Sequence, residues 1–420
     1  MNSNEVGGEN PVSEADSHRP AGVPEPPPGP SPEPAPRAWW HPRRLLRGRV
    51  RPAAAAALAG VLLGVAGTAW QTGTGPFRDD RKCWGALDDG DLEGYFRDPA
   101  EVVAHETSVQ YRSLDGYSGL CRLSTRRGAV TVNVHRLDLR YDGFGRWGDE
   151  YLAPRLVPMG GGLLGMASDT RAWLALPEGC VGRPSLAQGP TVVDIDTGWT
   201  VQSSDVDEKE RAVLTRMVVK LVNRILDQEG CSGTVVDPAD RLPAADDGLT
   251  SERPGAVCRV KGLTLPAQHK DGNGTNSDKS GKGGKSSENG KSGGGDGEAA
   301  PRVWITPGDG PVRTCDRTRL GYTELRLMTV SDPRLAALFE RSRDAYGTRL
   351  TSSRGRGSLS DRDGVFLARC QTGDVAFVAR TLTLTSSQPV RALFPRYVEA
   401  EAARAGCGTL RVTAGTSGGD

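Results

Sequence analysis

Eight cysteines occur in this chain, at 83, 121, 180, 231, 258, 315, 370 and 407. All of them lie C-terminal to an uncharged, alanine-rich stretch running from Ala53 to Trp70. An even number confined to one side of an apolar segment is the pattern an oxidising compartment produces. Reduced core cysteines in a cytosolic protein would not explain the one-sided distribution. No Cys-x-x-Cys occurs, which removes a zinc ribbon and a thioredoxin-type redox site.

The stretch itself spans roughly 27 Å as a helix, close to a hydrocarbon core of about 30 Å. Arg37, Arg43, Arg44, Arg47, Arg49 and Arg51 precede it, and no charge follows until Arg78. Arginine is retained on the cytoplasmic side, so a transmembrane helix over 53–70 would leave the N-terminus inside. Trp39, Trp40 and Trp70 suit the two interfaces. A cleaved signal peptide is the competing reading, with Gly67-Thr68-Ala69 as a small-residue site. The N-region of about fifty residues favours the anchor, since secretory signals carry far shorter ones. Ala56, Gly60, Gly64 and Thr68 form a small-residue ridge on which two spans could approach, so a homodimer through this helix is one expectation.

Composition divides the remainder. Gly 55 and Pro 29 with 36% hydrophobic residues indicate folded modules diluted by polar segments. Residues 1–36 are Pro-rich and read as a disordered cytoplasmic arm, followed by a basic juxtamembrane segment over 37–52. Residues 267–300, rich in Gly, Ser and Lys, read as a disordered insertion, and 413–420 as a loose tail. Lys+Arg 53 against Asp+Glu 52 argues against a nucleic-acid partner.

Between these segments one plan occurs twice. Residues 205–229 predict an amphipathic helix on Val213, Leu214, Met217, Val218, Leu221, Val222, Ile225 and Leu226, with Ser204 as cap. Pro389–Ala405 predicts a second on Val390, Leu393, Phe394, Tyr397 and Val398. Both end in Gly-Cys, at Gly230-Cys231 and Gly406-Cys407. Before each lies Ser-Asp, a strand, a cysteine and another strand: Ser168-Asp169 to Cys180 and Val192–Ile195, then Ser360-Asp361 to Cys370 and Val375–Leu384. Cys121 precedes a strand over Ala129–Leu139, and Cys315 one over Leu325–Val330. Short helices are expected at Asp98-Pro99 and Asp332-Pro333, where Asp caps and Pro takes the first turn. The fold class is therefore α+β: two modules, 80–235 and 253–412, each a small mostly antiparallel sheet with helices on one face. Four cysteines per module allow three pairings. Nearest-neighbour pairing is expected: Cys83–Cys121, Cys180–Cys231, Cys258–Cys315 and Cys370–Cys407.

Chemistry is sparsely marked. Gly143-Phe144-Gly145-Arg146-Trp147-Gly148 matches GxGxxG, but Trp147, Asp149 and Pro154 indicate an irregular loop rather than a dinucleotide turn. Gly415-Thr416-Ser417-Gly418-Gly419 matches GxSxG without the flanking strand and helix of a nucleophile elbow. His105 is assigned to a helix and His135 to a strand edge, neither with a metal-ligand partner. Asp88, Asp89, Asp91 and Glu93 read as a solvated helix start rather than a calcium loop. Asp194 and Asp196 alternate with Val193 and Ile195, which assigns them to a solvent face. Gly160–Gly162 and Gly165, with Met159 and Met166, form a loop that could border a pocket or a packing corner.

The order of an Arg-flanked span, a cysteine-led segment, Gly160-Gly161-Gly162-Leu163-Leu164-Gly165, Leu176-Pro177-x-x-Cys180 and a helix ending in Gly230-Cys231 resembles uncharacterised actinobacterial single-pass membrane proteins. That resemblance implies no activity. The expectation is a cell-membrane protein with an extracytoplasmic binding, sensing or scaffolding role, no catalytic set, no metal and no cofactor. Its partner would be an unknown protein or envelope ligand. The alternatives are a subunit of an envelope or secretion assembly, and an extracytoplasmic enzyme.

Overall fold

The two helices ending in Gly-Cys each cover one face of a sheet, and the other faces of the two sheets meet. In the computed structural model the described residues are 81–112, 116–137, 147–148, 150–181, 189–198, 206–246, 256–265, 301–320, 322–344, 347–382 and 390–415. The arm, the 53–70 span, the 267–300 insertion and the Gly143–Arg146 part of the glycine motif lie outside them. Among the described residues no helix is long and apolar enough to cross a membrane.

The elements are α1 (Asp89–Leu92), β1 (Val103–Arg112), β2 (Gly116–Ser124), β3 (Ala129–Arg136), β4 (Val157–Pro158), β5 (Gly165–Ala167), β6 (Arg171–Ala175), α2 (Glu178–Val181), β7 (Thr191–Asp196) and α3 (Glu208–Gln228). They continue with β8 (Arg302–Ile305), β9 (Val312–Arg319), β10 (Tyr322–Val330), α4 (Pro333–Ala336), β11 (Thr348–Thr351), β12 (Gly355–Leu359), β13 (Asp363–Cys370), β14 (Gly373–Thr381), α5 (Val390–Ala402) and β15 (Thr413–Ala414). Sheet 1 runs β1-β2-β3-β7-β6-β5-β4, and sheet 2 runs β8-β9-β10-β14-β13-β12-β11-β15. Apart from β15, the second order is the first with seven added to each strand. Every pairing between these strands is antiparallel.

Local chemistry repeats with the topology. Ser168 N–H donates to the Arg171 carbonyl and Ser360 N–H to the Asp363 carbonyl, both at 2.7 Å. In both turns the serine hydroxyl accepts from the N–H groups two and three residues on, the second of them opening the next strand. At the helix ends, Gly230 and Gly406 take φ of 66° and 76°. There Cys231 N–H donates to Leu226 and Cys407 N–H to Ala402, both at 2.8 Å. This is the left-handed cap with a 6→1 bond, which glycine adopts without a Cβ penalty. Asp207 rather than Ser204 caps α3, accepting from Lys209 and Glu210; Ser204 lies outside the described residues. Asp98 and Asp332 cap their helical turns ahead of Pro99 and Pro333.

Three apolar layers follow from strand alternation. On sheet 1, Val132, Val134, Ala172, Leu174, Val193 and Ile195 pack under the α3 stripe. On sheet 2, Leu325, Leu327, Phe366, Phe377 and Ala379 pack under Leu393, Phe394 and Tyr397 of α5. The opposite faces share a third layer, in which Trp147, Trp173 and Val192 meet Met328, Val330, Val365 and Val378. The arrangement is helix, sheet, sheet, helix. Contacts in the shared layer are close: the Trp147 and Phe339 rings lie 5.2 Å apart. A Cβ on Gly310 would meet the Pro158 ring at 2.3 Å, so only glycine lets the second module approach β4 this closely. Asp79–Asp420 is accordingly one compact unit.

Disulfides join Cys83 to Cys121, Cys180 to Cys231, Cys258 to Cys315 and Cys370 to Cys407. Cys83 and Trp84 hold φ of 53° and 62°. Their N–H groups converge on the Glu106 carboxylate at 2.6 and 2.9 Å, a concave anion seat that offsets the left-handed backbone. The four bridges differ in access. Cys83, Cys121, Cys258 and Cys315 are buried, Cys407 is buried against a half-exposed Cys370, and Cys180 and Cys231 are both half-exposed. Thiolate exchange needs access to a sulfur. Stepwise reduction with a mild thiol, alkylation and peptide mapping should therefore label Cys180 and Cys231 first and the two buried bridges last. Labelling of Cys83 ahead of Cys180 would contradict the burial order.

Candidate functional site

The side chains with the densest polar chemistry sit in the layer between the sheets. β3, β6 and β7 are neighbours in sheet 1, and His135, Arg171, Trp173, Asp194 and Asp196 occupy their faces opposite α3. The expectation that Asp194 faces solvent is overturned. It is 1% exposed, with Arg171, Tyr151 and His135 of its own module set against the face that alternation alone assigns to water. His105 is on β1 rather than in a helix. His135 is on β3, between β2 and β7, not at a sheet edge.

Arg171 Nη1 donates to both Asp194 oxygens at 3.1 Å, and Nη2 to Asp196 at 2.5 Å. Glu150 lies 3.6 Å from Nη2. The guanidinium also stands over the Tyr151 ring, 4.7 Å from its centroid. Burial opposes the Arg171 charge, but Asp194, Tyr151, Asp196 and Glu150 outweigh it, so the group is held above its ordinary value. Burial also pushes the Asp194 carboxyl up, with Arg171 and His135 pulling the other way. Tyr151 Oη donates to Asp194 Oδ2 at 3.2 Å and lies 3.2 Å from His135 Nε2. His135 Nδ1 is 3.1 Å from the Arg136 carbonyl. Trp173 Nε1 donates to the Tyr151 carbonyl at 2.9 Å, fixing the short turn that carries Tyr151. Beside Arg136, a cavity of about 10 Å³ is lined by Leu176, Glu178, Val181 and Pro190. That volume is room for about one water.

Sheet 2 carries a related row with its charges rearranged. Arg326 donates to Asp316 through Nε and Nη2, both at 2.6 Å, with each residue 6% exposed. Arg380 donates to Asp363 at 3.1 Å. Arg171 opposes Asp196 across β6 and β7, and Asp363 opposes Arg380 across β13 and β14. The serine turns show these to be matching positions, so the second module exchanges the two charges of the first.

The remaining sequence candidates are structural. Asp88 caps α1 in a reciprocal box with Asp91, and Asp89 and Asp91 pair with Lys82 and Lys220. Gly160–Gly162 turn between β4 and β5 with positive φ, while Met159 and Met166 are buried. Asp169 is buried where Arg155 donates to it at 2.7 Å. Among the described residues no His, Cys, Asp and Glu group is placed to hold a metal ion. Sequence reasoning missed Arg171 and Tyr151 altogether. The available signal was a charge at the head of the apolar run Ala172–Leu176, opposite another inside Val192–Ile195. No family model, curated protein or solved structure matches the chain.

Proposed function

We propose that the chain is a membrane-anchored extracytoplasmic binding or sensing protein whose two modules act as one body. The observation that carries this reading is the cysteine distribution. All eight lie beyond Ala53–Trp70, and none of them is free. Four bridges in one unit belong to an oxidising compartment, and the arginines ahead of the span orient it with the N-terminus inside. A body stapled four times and joined through a shared core suits presentation of a fixed surface rather than hinge motion.

Two measurements test the proposal on the full chain. An impermeant maleimide applied to intact cells after mild reduction should label Cys180 and Cys231, the two half-exposed ones that share a bridge, and protection of both would place the unit inside. A thermal-shift screen with cell-wall fragments, lipids and small metabolites should then find a stabilising compound. A ligand at about 100 times its Kd adds roughly 2.7 kcal/mol. A blank screen on the correctly oriented protein would replace the ligand reading with that of a subunit in a larger assembly.

A further inference from the structure

A row of arginines crosses the outer strands of sheet 2. Arg349 on β11, Arg356 on β12 and Arg369 on β13 lie on the face opposite α5. Arg349 stands opposite Ser358, two positions along β12 from Arg356. Arg356 stands opposite Leu367, two positions along β13 from Arg369. Diagonal neighbours of this kind are about 7–8 Å apart, so the three residues form one oblique line. All three are exposed, and among the described residues none of their guanidinium groups makes a hydrogen bond or an ion pair. Arg354 stands at the end of the line, where its carbonyl accepts from the Arg369 N–H at 2.9 Å and its Nη1 donates to the Cys407 carbonyl at 3.1 Å. Asp374, opposite Arg369, is the carboxylate nearest in register, and positive charge outweighs it. Sheet 1 is built to the same plan, yet it places Pro158 and Leu164 at the positions of Arg349 and Arg356 and buries both. Like charges on adjoining strands repel. The second module therefore carries an unfavourable row where the first has apolar packing, and an anionic partner would relieve it.

We propose that Arg349, Arg356 and Arg369 bind an extended phosphodiester polymer, with one phosphate at each guanidinium. The inference names a ligand class for the binding reading above and rests on that reading for its setting outside the cell. A guanidinium forms two parallel bonds to phosphate oxygens and keeps its charge at every accessible pH. A line of charges suits a flexible chain with one charge in each repeat unit, whereas a single small anion meets one guanidinium at a time. Thr351 opposes Arg356, and its hydroxyl lies 3.1 Å from that of Thr413, which adds neutral donors beside the row. The strand positions of this rim carry no aromatic ring, so bases find nothing to stack on. A stiff polymer of sugar acids lacks a platform there for the same reason. Leu367, the apolar residue within the row, is buried in the layer between the modules. The rim therefore offers no exposed apolar centre of the kind that anchors a protein partner.

The test uses the full disulfide-bonded chain in uncharged detergent micelles, with fluorescently labelled poly(glycerol phosphate) as probe and anisotropy read over a series of salt concentrations. Three phosphate contacts on a flexible polyanion should give a slope of log affinity against log salt of about −2, at roughly 0.7 per contact. Arg356→Gln should weaken binding and flatten the slope by one contact. The triple variant Arg349→Gln, Arg356→Gln, Arg369→Gln should abolish binding. Its side chains are exposed and mutually repelling, so its denaturation midpoint should be no lower than that of the unsubstituted protein. Arg126→Gln with Arg127→Gln, on the exposed turn between β2 and β3, removes two charges elsewhere and should leave binding unchanged. Absence of binding by the unsubstituted protein, retention of binding by the triple variant, or an equal loss in the turn variant would each overturn the proposal. Equal affinity for polyglutamate of the same charge would overturn the phosphodiester assignment. None of these readouts depends on membrane orientation, so the proposal fails or succeeds apart from the maleimide test.

Discussion

Trp173→Ala should destabilise both modules at once, by about 3–5 kcal/mol. Trp173 is fully buried on β6, in the layer that the two sheets share. Its removal takes away a large apolar surface, and the surrounding rigid sheets can fill the space only in part. It also removes the indole donor to the Tyr151 carbonyl. The checking measurement is amide exchange followed separately in β7 and in β14. Equal loss of protection in both strands would mark one cooperative body. Loss in β7 with unchanged protection in β14 would show that the modules unfold independently despite their common layer.

A loss of similar size, about 3–5 kcal/mol, is expected for Asp316→Ala. Asp316 and Arg326 are held at 2.6 Å through two parallel bonds, with both side chains nearly sealed from water. Taking away the carboxylate leaves a desolvated guanidinium without its bidentate acceptor. Replacing both partners, as Asp316→Leu with Arg326→Met, removes the charge together with its counter-charge and should recover most of the stability. Chemical denaturation of the two variants reads the difference directly. A double variant no more stable than the single one would mean that the pair itself, and not the orphaned charge, carries the energy.

The two amphipathic helices, their Gly-Cys ends and the aspartate–proline helix starts were legible in the chain because each depends on residues within about one turn of one another. The stripe from Val213 to Leu226 faces sheet 1, and Gly230 closes the helix as its spacing indicates. The duplicated plan was legible for the same reason: a serine turn, a strand and a capped helix each have local signatures. Two sheets of one topology then follow from two copies of one string. The polar array was not legible. Asp194 was assigned to solvent because its neighbours alternate, and alternation says only that two faces differ, not what covers the second.

The sequence by itself determined the two long helices, the strands that lead into them, the twofold plan, the cysteine placement and the class of α+β with antiparallel sheets; β1, which carries His105, it misassigned to a helix. Only the tertiary structure decided that the two modules share a core, that Arg171 meets Asp194 and Asp196, and that the second module exchanges a charge pair of the first. The physical reason is range. Periodicity and capping are written into neighbouring residues. Strand order, register and the burial of a sheet's second face arise from contacts between segments far apart in the chain, where a single charged residue reads the same whether it meets water or a partner.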